Sequence, residues 1–118
     1  MGARRCSLRD SRRTVVNRGD VCWLELPEEG RRPVLVLTRS AAIPVLKNVT
    51  VALVTRTIRD VPTELRLSED DGMPAECAIS FDNLRTVPKV LLGEPLVSLS
   101  GKQMHDACRA LSIATSCN

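Results

Sequence analysis

Two carboxylates and two guanidiniums crowd into one short stretch, Glu28-Glu29-Gly30-Arg31-Arg32, and a second polar run, Thr55-Arg56-Thr57, closes an apolar segment further along the chain. Arginine stays protonated and offers planar, paired donors, which suits a phosphodiester whose negative charge grows in a five-coordinate transition state. A carboxylate such as Glu28 can accept a proton, and a threonine hydroxyl can bond a phosphoryl oxygen or hold an attacking group. The combination points to phosphoryl transfer on a nucleic acid. Taken from composition alone, the same residues make a solvated turn whose surface ion pairs contribute little.

Other chemistries find fewer parts. His105 is the single histidine, so a ribonuclease built on a histidine pair is excluded. It falls beside an apolar helical stripe and reads as a surface residue. Cys6, Cys22, Cys77, Cys108 and Cys117 show no CxxC or other metal-ligand spacing, and no metal or other cofactor is expected. An odd count also fits poorly with a disulfide framework, so reduced thiols are expected. Cys22, Cys77 and Cys108 lie in apolar segments, where cysteine behaves as a small hydrophobe. No serine occupies a G-x-S-x-G elbow. Trp23 and Phe81 are the only Trp, Tyr or Phe residues, too few for the stacking platforms of a protein that coats single strands.

The elements that would position the loop follow from pattern. Asp20 to Leu26 and Pro33 to Thr38 are short apolar runs flanking Leu26–Arg32, which carries the Pro, Gly and charge of a turn, so the pair predicts a hairpin. Val49 to Thr55, rich in β-branched residues, predicts a third strand. Pro62 to Leu67 alternates polar and apolar as a half-buried strand does, Glu69 to Pro74 reads as a turn, and Ala75 to Phe81 as another strand. The segment Asp82 to Pro88 follows it as a polar return. Ser100-Gly101-Lys102-Gln103 fits a capping box, and Met104, Ala107, Cys108 and Leu111 recur at helical spacing, predicting a helix from about Gly101 to Ile113.

One domain is expected from 118 residues, preceded by an arm. Residues 1–18 hold six arginines against one aspartate, a net +5, whereas the remainder carries −2. Arg4, Arg5, Arg9, Arg12 and Arg13 suit phosphates or an acidic partner, or a solvated tail. The expected division is an arm over 1–17 and a domain over 18–118. No apolar run has the ~18 residues of a membrane span, and the arm lacks a signal peptide's apolar region, so a soluble, cytoplasmic protein is expected.

Arg18-Gly19-Asp20-Val21-Cys22-Trp23, then Arg32-Pro33-Val34-Leu35-Val36, a strand ending in Thr55, Asn83-Leu84-Arg85-Thr86-Val87 and a capped terminal helix resemble, in order and spacing, the MazF/PemK family of toxin endoribonucleases. The resemblance implies an α+β fold, a compact SH3-like β-barrel of the PemK/CcdB type with a C-terminal helix packed on the sheet. It further implies a homodimer, metal-independent cleavage of single-stranded RNA by 2′-hydroxyl attack, and a small MazE-like antitoxin partner that blocks the groove. Matched by position, Arg32 and Thr55 are the catalytic candidates. Glu28 joins them by type only, because the family loop G-S-E-Q-x-G-x-R-P is shortened here. Arg31, Arg56, Thr57, Asn83 and Arg85 follow strand ends and are the expected RNA contacts. Two alternatives stay open at this point: a non-catalytic CcdB-like gyrase inhibitor on the same fold, and an inactive antitoxin-binding module.

Overall fold

A computed structural model describes residues 15–117. Six strands, β1 (Asp20–Leu26), β2 (Gly30–Val36), β3 (Asn48–Thr55), β4 (Glu64–Leu67), β5 (Cys77–Pro88) and β6 (Leu92–Ser98), precede one helix, α1 (Gly101–Thr115). All neighbours pair antiparallel in a single sheet of order β4-β5-β3-β2-β1-β6. The sheet curls into a half-barrel, and the expected α+β architecture is borne out. Its curl is visible at Gly72, between β4 and β5, where an added Cβ would meet Val97 of β6, the far edge strand, at 2.6 Å.

Strand alternation divides the apolar residues between the two faces. Val21, Leu35, Ala52, Val54, Ile79 and Phe81 form one core with Ala107 and Ala110 of α1. Leu24, Val34, Val36, Val51, Leu53 and Val87 form a second on the other face, closed by Val16 and Ile43. The capping box of α1 is present: Ser100 Oγ accepts the Gln103 N–H at 3.1 Å, and Gln103 Oε1 accepts the Ser100 N–H at 2.9 Å. Its buried stripe differs from the expected one. Ala110 is buried while Cys108 is exposed, because packing against the curled sheet selects Ala107 and Ala110. Cys22 and Cys77 are buried as expected.

Three further departures have physical causes. The hairpin turn is only Pro27–Glu29, with Gly30 at φ +81, so β2 starts three residues earlier than the apolar run suggests. A three-residue turn followed by a left-handed glycine is a common hairpin solution. β5 continues through Asp82–Pro88, since its register jumps from Leu53↔Ser80 to Ala52↔Leu84 and the poor strand formers Asp82 and Asn83 sit in the bulge. β6 has no counterpart among the expected elements. Gly93 and Pro95 disguise it, and it is tolerated as an edge strand with irregular pairing to β1.

The Arg18-Gly19-Asp20 signature proves to be a structural knot. Asp20 is buried and accepts the Asn17 N–H at 2.9 Å and the Ser98 hydroxyl at 2.6 Å. Arg18 donates to the Leu37 carbonyl and to Cys108 Sγ on α1. Gly19, at φ +95, lies under Met104, whose sulfur would be 3.3 Å from a Cβ there. Together these contacts tie β1, β6, the end of β2 and α1. The charged arm residues Arg4, Arg5, Arg9, Arg12 and Arg13 lie outside the described residues, but Val16, within the same expected arm, packs into the second core.

Candidate active site

The β2–β3 ladder extends only over Val34↔Leu53, Leu35↔Ala52 and Val36↔Val51. Continued by two residues, that register brings Arg32 level with Thr55 at the open end of the pair. Leu37 donates its N–H to the Thr50 carbonyl at 2.9 Å, and this alternation places residue 33 opposite the Val54 carbonyl as the next-but-one donor. Residue 33 is proline and has no N–H to give. Arg32 supplies the bond instead, its Nη2 donating to the Val54 carbonyl at 3.1 Å. The Arg-Pro dipeptide is therefore one device: proline vacates an acceptor and the neighbouring guanidinium is anchored on it.

That anchor leaves Arg32 Nε buried without a hydrogen-bond partner among the described residues. A buried unsatisfied donor costs about 1–3 kcal/mol, so a water, an ion or a substrate oxygen is needed to meet it. Beside it, Thr55 Oγ1 accepts the Thr57 N–H at 3.0 Å, so its own O–H remains to donate. Arg32 and Thr55 share a sheet face by alternation with Val34, Val36, Val51 and Leu53. Arg85 belongs to this face too, and it pairs with Glu29 of the hairpin turn at 3.2 Å. Asn83, in the β5 bulge, donates to Ser80 Oγ at 3.0 Å, and Ser80 pairs with Leu53.

The structure separates Arg31 from Arg32. Because both lie within β2, they point to opposite faces, and Arg31 stacks over Trp23, its Cζ 4.3 Å from the ring centroid. A cavity of about 290 Å³ opens on that side, lined by Trp23, Arg31, Pro33, Thr55 and Arg56 over a floor of Met73 and Cys77. Arg32 does not line it. Thr55, at the strand end, borders both faces. Burial chiefly pushes the Cys77 thiol up, Arg56 opposing and Asp71 and Glu76 adding, so it stays protonated and is no nucleophile here. Glu28 is exposed at the turn, and the carboxylate tied into the site is instead Glu29 through Arg85. The sequence marks Glu29 only as one of two turn carboxylates and Trp23 only as part of the Arg-Gly-Asp signature; the Glu29–Arg85 pair spans 56 positions and has no short-range signal. His105 is exposed on α1. Among the described residues no three His, Cys, Asp or Glu side chains cluster as metal ligands would, and no helix is long and apolar enough to cross a membrane.

Fold and site define a class: a small curled-sheet α+β domain with an arginine–threonine pair at an open strand end. The family model for the PemK-like, MazF-like toxin of type II toxin-antitoxin systems matches residues 17–115, and the chain belongs to that family. It is 40% identical over 102 residues to a probable endoribonuclease, MazF5, of Mycobacterium tuberculosis, covering 86% of this chain and 94% of the relative. The solved M. tuberculosis toxin MazF-mt6 superimposes with TM-score 0.77 at 32% identity, covering 84% of this chain and 98% of that one. An endoribonuclease from a mycobacterial species, solved in complex with its cognate antitoxin, matches at TM-score 0.77 and 25% identity, covering 87% and 97% of the two chains.

Proposed function

We propose that the chain is the toxin of a toxin–antitoxin pair and an endoribonuclease that cleaves single-stranded RNA without a metal ion. The observation that carries this reading is Arg32: a guanidinium fixed on the Val54 carbonyl, with a buried Nε left to donate, beside the free hydroxyl of Thr55. The 2′-hydroxyl attacks the adjacent phosphorus, the P–O5′ bond breaks, and the products are a 2′,3′-cyclic phosphate and a 5′-hydroxyl. Arg32 stabilises the phosphorane, and Thr55 holds a non-bridging oxygen. One proton leaves the 2′-oxygen and one reaches O5′. Glu28, free at the turn, is the candidate base. Arg56 and Thr57, which follow the end of β3, and Asn83 and Arg85, on β5 beside it, are the substrate contacts.

The chain acts in the cytoplasm as a homodimer held in check by a short MazE-like antitoxin whose carboxylates compete with phosphate for the site arginines. The cognate-antitoxin complex of the mycobacterial relative supports the partner. Exposed Val45, Leu46 and Val90, brought together where Lys89 Nζ bonds the Ile43 and Pro44 carbonyls, support a second copy. Comparison of wild type, Arg32→Ala, Thr55→Ala and His105→Ala on single-stranded and duplex RNA tests the assignment. Arg32→Ala should lose activity on the order of 10²- to 10³-fold and Thr55→Ala should also be severely impaired, with His105→Ala active and duplex uncut. An inactive His105→Ala beside an active Arg32→Ala would sink the assignment.

A further inference from the structure

We infer that the cavity at the Trp23–Arg31 stack seats one unpaired base of the RNA, which makes Trp23 a substrate-contact residue; the inference rests on the nuclease reading above. The whole chain holds one Trp, one Phe and no Tyr, and Phe81 is buried at 1% exposure, so Trp23 is its one accessible ring of that kind. That ring stands half-exposed at the cavity wall, already carrying a guanidinium on one face. Aromatic and guanidinium planes are the surfaces on which splayed bases stack. Pro33, Met73 and Pro74 complete an apolar slot, while Arg56 at the rim has no ion-pair partner among the described residues. Thr55 links this slot to the Arg32 face, so a strand held there by its phosphate can turn one base over the sheet end.

A second cavity of about 320 Å³ flanks the same stack but is edged by Glu25, which Arg31 pairs at 3.6 Å, and by Glu94, which has no ion-pair partner among the described residues and repels a phosphodiester. The strand therefore enters on the Arg56 side. Stacking reads an exposed π-face and not a base identity, so the slot rejects duplex, whose base faces are covered, without choosing a sequence.

The sole tryptophan reports directly on its own occupancy. Mixed-sequence single-stranded oligodeoxynucleotides, uncleavable for want of a 2′-hydroxyl, should quench wild-type fluorescence. An abasic deoxyribose-phosphate oligomer of equal length should not. On RNA, Trp23→Leu should raise KM on the order of 10- to 100-fold, with Trp23→Phe remaining within a few-fold of wild type. Equal quenching by the abasic oligomer, an unchanged KM in Trp23→Leu, or quenching by the antitoxin and by no oligonucleotide would each overturn the inference. Quenching by oligonucleotides in a protein that cuts no RNA would uphold the slot and refute the nuclease reading instead.

Discussion

Arg32 and Pro33 work as a pair, and their consequences differ in kind. Removing the guanidinium in Arg32→Ala takes away the donor to the developing charge, and kcat should fall on the order of 10²- to 10³-fold with the fold intact. Pro33→Ala restores a backbone N–H that competes for the Val54 carbonyl, releasing the guanidinium from its anchor. We expect an activity loss on the order of 10- to 100-fold from misplacement alone, with stability unchanged or raised, measured by single-turnover cleavage and urea unfolding. Burial, with Asp20 nearby, pushes the Cys22 thiol up from about 9 to about 12. Below pH 9 the thiol is protonated folded and unfolded alike; above it the unfolded chain ionises first. Stability contributed here should thus be lost between about pH 9 and 12, and urea unfolding of wild type should fall more steeply over that window than that of Cys22→Ala. The types of Arg32 and Thr55 were legible in the sequence, and the resemblance gave their roles. That Arg31 faces away was not, because the apolar pattern leaves both arginines in the turn, and only a strand that begins at Gly30 sends adjacent side chains to opposite faces.

Elements were legible where local chemistry and tertiary demand agree. The capped helix and the β3 run are such cases. β6 was hidden because an edge strand can carry Gly93 and Pro95 without losing a ladder it does not need, and β5 was cut short because a bulge accepts Asp82 and Asn83. The segment between β4 and β5 has the composition of an ordinary acidic turn. In the fold it closes the half-barrel: Ser68 caps Asp70, Asp71 accepts from Gln103 of α1 at 3.0 Å, and Gly72 sits against Val97. Gly72 has φ +100, so Gly72→Ala combines left-handed strain with a collision against a branched side chain. It should destabilise by about 2–4 kcal/mol in urea unfolding. A change below about 0.5 kcal/mol, the range of an ordinary surface substitution, would mean that the two sheet edges do not meet there.

At the scale of the whole molecule, the charge is divided between a basic arm and a slightly acidic domain. Val16 belongs to the second core, so a truncation that removes the arm's arginines without opening the domain ends at residue 14. If those arginines bind RNA phosphates, that truncation should flatten the salt dependence of binding by ~0.7 in log–log slope for each phosphate released and leave the cleaved sequence unaltered. The most direct test of the central claim is chemical. Wild-type protein incubated with single-stranded RNA in excess EDTA should produce fragments whose masses show a 2′,3′-cyclic phosphate on one side and a 5′-hydroxyl on the other. A single 2′-deoxy substitution at the cut nucleotide should abolish that cut. Fragments that appear only when a divalent ion is returned, or that persist after the 2′-deoxy substitution, would contradict an Arg32- and Thr55-based transesterification.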